Sequence, residues 1–245
     1  MGDRPQVLLV NRRDAIAGAA ASLLLAGCDR QAEERVDPRA YQAFFLWPGI
    51  PAPPWLRAAS EVYLLAGEVR HGSNARFHVL RATPHVSGPK LWLVVRVERL
   101  DWAEAITRDV FHTLALWEAA GNRVEGLQID FDAATRGLAQ YAAFLSDLRR
   151  RLPRRWKLSI TGLMDWSAGG DPGALRQLSE TIDEIVVQTY QGRETIPGYD
   201  RYLASLRRLG MPYRVGLVAG GQWRAPSALA TDPAFQGYVV FLLDR

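Results

Sequence analysis

One cysteine in 245 residues excludes a disulfide framework and a cysteine-based zinc site. Lysine is almost missing: two residues, Lys90 and Lys157, stand against 28 arginines. That bias marks a GC-rich coding sequence and not a phosphate-binding design. No Lys/Arg block is long enough to suggest a nucleic-acid footprint, and the formal net charge is only +4. No Gly-x-Ser-x-Gly elbow is present, which argues against serine-hydrolase chemistry. The four histidines, His71, His78, His85 and His112, lack metal-ligand spacing, so neither a metal nor another cofactor is implied. No apolar run reaches the length of a spanning helix. What is plentiful is hydrophobic residues, 48% of the chain, with eight tryptophans among them. A chain of this length and composition is globular and long enough for one α/β barrel, which needs about 250 residues.

The first third of a hundred residues reads as an address. Arg12-Arg13 precedes the apolar run Ala15–Gly27, which has the length of a signal-peptide core and ends at Cys28. Leu25-Ala26-Gly27-Cys28 resembles a bacterial lipobox, which implies cleavage before Cys28 and a lipid on its sulfur. The paired arginines resemble a twin-arginine export signal, and Asp29 resembles the inner-membrane retention signal of some bacteria. The expected organisation is a signal peptide over 1–27, a polar tether over 28–36 and one domain over 37–245. The mature chain is then expected in the cell envelope, anchored to a membrane through Cys28 and facing the periplasm or exterior.

Short apolar runs closed by loop residues predict strands at Ala43–Trp47, Glu61–Gly67, Lys90–Val97, Val124–Asp132, Trp156–Leu163, Glu184–Tyr190, Tyr213–Val218 and Tyr238–Leu243. Helices are expected over 101–120, with Asp101 as N-cap and Gly121 as stop, over 136–151, after Asp171-Pro172, and over 198–209. From residue 90 strands alternate with helices, which argues parallel strands joined by crossovers. Eight strands favour a single (β/α)8 TIM-type barrel, thin in its first repeats and without a last helix. An open doubly wound sheet is the alternative, but no glycine-rich phosphate fingerprint supports it.

In such a barrel, chemistry gathers at strand C-termini. In strand four, Gln128, Asp130 and Asp132 share a face, because strand side chains alternate. Two neighbouring carboxylates do not both ionise cheaply, so one can serve as a proton donor. Gln188 and Tyr190 share a face at the end of strand six. Trp47, Trp166, Trp223 and Phe241 each lie near a strand end, where flat rings can stack on the apolar faces of sugars. Arg96 and Glu98, after strand three, can form an ion pair that orients strand four.

These motifs resemble the family-eighteen, chitinase-like glycoside hydrolases. Their strand-four pattern, Asp-Gly-x-Asp-x-Asp-x-Glu, aligns with Glu125-Gly126-Leu127-Gln128-Ile129-Asp130-Phe131-Asp132. Their strand-six Met-x-Tyr-Asp aligns with Gln188-Thr189-Tyr190-Gln191, and their strand-eight tryptophan with Phe241. The chain also resembles the domain of unknown function 3142 family of bacterial lipoproteins. The chitinase resemblance implies that Asp130 orients a 2-acetamido group, Tyr190 holds its oxygen, Asp132 protonates the leaving oxygen and Phe241 floors the sugar. Gln128, Gln188, Trp47, Trp166 and Trp223 complete the expected carbohydrate site. Asp132 is one methylene shorter than the family's Glu, and Gln128 and Gln191 replace acids. The expected function is acid-assisted cleavage of an envelope or extracellular glycan. The rivals are a non-catalytic glycan-binding or scaffolding lipoprotein, and a partner-binding one whose carboxylates are structural.

Overall fold

Apolar runs of five to eight residues, rich in Val, Ile and Leu, cannot face water on either side, and here both sides are covered. The computed structural model describes residues 34–72, 75–133 and 135–243. The expected signal peptide, Cys28 and the tether up to residue 33 lie outside the described residues.

Eight parallel strands close on themselves. They are β1 (Ala43–Leu46), β2 (Glu61–Val69), β3 (Lys90–Val97), β4 (Arg123–Asp130), β5 (Lys157–Leu163), β6 (Glu184–Gln188), β7 (Tyr213–Val218) and β8 (Phe235–Leu242). Each pairs with its neighbours in sequence, and β8 returns to β1 through Val240–Phe44, Phe241–Phe45 and Leu242–Leu46. The doubly wound alternative is thereby excluded. Helices α1 (Glu104–Ala119), α2 (Leu138–Arg151), α3 (Trp166–Gly169), α4 (Pro172–Thr181) and α5 (Tyr199–Leu203) follow β3 to β6. The early repeats are thin: β1 and β2 are joined through a 3-10 turn at Pro54–Ala58, and β2 folds back on the short antiparallel strand Phe77–Val79. Among the described residues, no helix is long and apolar enough to cross a membrane.

The alternation of each strand splits the core in two. Outward residues such as Leu93, Ile129, Ile160 and Val187 pack under Trp117, Tyr141 and Leu178 of the helices. Inward residues Phe45, Tyr63, Leu65, Trp92, Val94 and Phe241 fill the barrel, with Tyr63 stacked on Trp92. Gly126 lets β4 approach β5, since a Cβ there would lie 2.2 Å from the Lys157 carbonyl oxygen.

Three boundaries differ from expectation. Asp101 does not cap α1; it pairs with Arg99, and the helix begins after Ala103 with no side-chain cap. The docked chain starts before Asp37: Glu34–Arg35 pair antiparallel with Gln222–Trp223, and buried Val36 exchanges backbone hydrogen bonds with Gly220 and Gly221 at 2.9 Å. Strand four ends at Asp130, so Asp132 lies past the sheet and outside the alternation that the sequence suggested.

Candidate carbohydrate site

The C-terminal ends of the strands open into a cleft of about 570 Å³. Its walls include Trp47 after β1, Arg96 on β3, Asp132 after β4, Asp165 after β5, and Gln188 and Tyr190 at the end of β6. Tyr202 of α5 and Gln191 complete the rim.

Arg96 organises the charges. Its Nη1 donates to Asp130 Oδ2 at 3.2 Å and its Nη2 to Asp132 Oδ2 at 3.4 Å. The guanidinium also lies over the Trp47 ring, 5.5 Å from its centroid. The expected Arg96–Glu98 pair does not form; Glu98 accepts the His71 backbone N–H instead. The physical reason is the end of the strand: Arg96 is still on β3, opposite Asp130 of β4, whereas Glu98 lies past the strand end at Val97, where its backbone N–H donates to the Val69 carbonyl at 2.9 Å.

The two carboxylates stand in different media. Asp130 is buried, and its Oδ1 accepts from the Thr161 hydroxyl at 2.8 Å. Burial pushes its carboxyl above the ordinary aspartate range; Arg96 and Thr161 pull it back, and Asp132 adds to the rise. Asp132 has 64% of its side chain in solvent. Tyr190 is held well above the ordinary tyrosine value, by burial first and then by the negative field of Asp130 and Asp132. Its hydroxyl therefore stays a neutral donor.

Beneath this layer, Gln128 donates to Ser159 Oγ at 3.0 Å and sits wholly buried, with its Oε1 unpartnered among the described residues. Phe241 also lies below the cleft, stacked on Phe45 at 4.5 Å and touching Tyr190 at 5.0 Å. It supports Tyr190 and does not line the opening.

Trp166 and Trp223 are not brought to the cleft. The Trp166 indole is buried outside the barrel against Tyr141, donating to the Ala133 carbonyl at 2.9 Å. Trp223 stacks on Tyr199 at 4.7 Å, on the excursion that receives Glu34–Arg35. Both follow a strand end in sequence, but the chain has already turned outward. Sequence reasoning missed Asp165, Tyr202 and Thr161. Thr161 was accessible from the β5 alternation Ser159, Thr161, Leu163; Tyr202 gave no signal.

The same architecture recurs in solved structures. The Bacillus cereus spore cortex-lytic enzyme SleL is 17% identical with a TM-score of 0.50, over 73% of this chain and 50% of that one. The chitinase domain of the Clostridium difficile spore coat protein CotE is 13% identical with a TM-score of 0.52, over 79% and 67%. The xylanase and alpha-amylase inhibitor protein XAIP-II of Scadoxus multiflorus is 12% identical with a TM-score of 0.51, over 81% and 92%. This chain spans half the length of SleL. At these identities the likeness is one of fold: a TIM-type, chitinase-like barrel, here found in enzymes and in an inhibitor alike. No curated protein matches the chain significantly. The sequence model of the domain of unknown function 3142 matches residues 88–213, more than half of the chain, from β3 to the start of β7, and the chain therefore belongs to the DUF3142 family.

Proposed function

We propose that the barrel is a glycan-binding module of the cell envelope, anchored through Cys28, that holds a saccharide at its mouth without cleaving it. The observation that carries this reading is the sharing of one guanidinium, Arg96, by both carboxylates that cleavage would need. A general acid works from an apolar pocket that holds its proton. Asp132 stands in solvent against Arg96, and Asp130 has both oxygens engaged below the cleft surface. Binding needs less: the Trp47 and Tyr190 rings for sugar C–H faces, and Gln188 and Tyr190 as polar handles, all on one cleft. The anchor rests on the Leu25–Cys28 pattern of the sequence.

A second reading is favoured by one observation, the presence of Asp132 and Tyr190 on the same cleft in the chitinase-like order. In it Arg96 swings away and Asp132 protonates the leaving oxygen. The two readings separate in an assay of amino-sugar oligomers and peptidoglycan fragments with the full chain, wild type beside Asp132→Asn. Saturable binding with no new reducing ends from either protein is expected. New reducing ends from wild type, lost in the variant, would replace binding by hydrolysis. Absence of both would remove the carbohydrate reading.

A further inference from the structure

We infer that the saccharide taken by this cleft is cationic, carrying free amines in place of acetamido or carboxylate groups. The inference rests on the glycan-binding reading above and names the ligand class for the same site.

The charges of the cleft oppose those of the chain. The protein is net +4, yet among the described residues the charged side chains lining the mouth are Arg96, Asp132 and Asp165, with Asp130 hydrogen-bonded to Arg96. Arg96 is committed to Asp130 and Asp132. Asp165 is exposed, and the one hydrogen bond of its side chain among the described residues comes from the Thr135 hydroxyl, to Oδ2 at 2.9 Å. No cation reaches Asp165 among the described residues, and the second oxygen of Asp132 accepts no hydrogen bond there. The mouth is thus a negative recess with acceptors to spare, on a basic protein.

Each ligand class meets these groups differently. A uronic acid would bring a carboxylate against Asp132 and Asp165 while Arg96, the one cation among the described lining residues, is already engaged. An acetamido sugar brings a neutral amide in place of a charge, so it offers the open oxygens of Asp132 and Asp165 only an uncharged donor, and Asp130 is already engaged by Thr161 at 2.8 Å and Arg96 at 3.2 Å. An ammonium group finds the open oxygens of Asp132 and Asp165 as charge-assisted acceptors. It also finds the rings of Tyr190 and Tyr202, whose quadrupoles attract cations.

The test compares three tetramers by calorimetry on the purified full chain at about pH 6, where an amine carries its proton. The probes are β-linked glucosamine, N-acetylglucosamine and galacturonic acid tetramers. The glucosamine tetramer is expected to bind at least about tenfold more tightly than the other two, with affinity falling as salt rises. Asp165→Asn is expected to erase most of that preference while leaving the melting temperature unchanged, because Asp165 is exposed. Equal or tighter binding of the acetylated or acidic tetramer, or an Asp165→Asn protein that keeps the full preference, would overturn the inference and leave glycan binding standing. Failure of all three tetramers to bind would bring down the glycan reading and this inference with it.

Discussion

At the base of the barrel, Arg214 reaches Glu184 at 3.0 Å and Glu61 at 3.2 Å; at the mouth, Arg96 reaches Asp130 at 3.2 Å and Asp132 at 3.4 Å. Both ends are one arginine between two acids, each supplied by inward positions of facing strands or their ends. The difference is in what else each acid does. Glu184 also accepts from Tyr63 and from Ser159, and Glu61 from the Trp92 indole at 3.2 Å. Arg214 and its two acids each keep no more than 16% of their side chains in solvent. At the mouth Arg96 keeps 38% and Asp132 64%. A saturated, buried network is a fold-specifying device, while an open, under-saturated one has capacity for a ligand. The contrast follows the general division of labour in such barrels, stability at the N-terminal face and chemistry at the C-terminal face.

The comparison breaks most easily at Glu184. Glu184→Ala leaves the mostly buried Arg214 with Glu61 alone and removes an acceptor from Tyr63 and Ser159, so a loss of about 3 kcal/mol in denaturant unfolding is expected. The matching change at the mouth, Asp132→Asn, is expected to stay within about 0.5 kcal/mol. Equal losses at both ends would erase the distinction.

Arg96→Met is intermediate. It leaves Asp130 buried beside Thr161 without its cation, but Arg96 is over one-third exposed and water can take its place. The expected cost is about 1–2 kcal/mol by the same measurement, discounted for solvent screening. A cost as large as that of Glu184→Ala would make the mouth pair as structural as the base.

The smallest effect is a pH dependence. The Asp130 carboxyl lies above its ordinary value of 3.8 in the fold, mainly through burial. Between that value and its folded one, the native state keeps a proton that the unfolded chain has lost. Its contribution is therefore complete below 3.8 and declines as pH rises through the folded value. Melting curves of wild type and Asp130→Asn from about pH 4 to pH 7 should converge in shape except for this decline, present only in wild type. A wild-type contribution that grows with pH would mean that Arg96 outweighs burial.

Much of the scaffold was legible because buried parallel strands write themselves as apolar runs. Lys90–Val97 and Ile185-Val186-Val187 are such runs, and β3 and β6 fall on them. The site was less so. Periodicity placed Gln128 and Asp130 on one inward face, but nothing in it marks where a strand stops, and the sheet ends before Asp132. Nearness to a strand end in sequence does not fix direction either: Trp47 stays at the rim, while Trp166 starts a helix that carries its ring beneath Tyr141. The base network was illegible, since Glu61 and Arg214 lie 153 residues apart and meet only because the barrel closes.

The central claim is that the mouth, and not another surface, takes the saccharide. A crystal structure of the chain grown with a glucosamine oligomer tests it directly. The account predicts a sugar ring against Trp47 and Tyr190, with an amine nitrogen within hydrogen-bond distance of Asp132 or Asp165. A sugar bound elsewhere, such as the groove beside Pro53, Arg81 and Leu91 on the thin side of the barrel, with the mouth unoccupied, would contradict it.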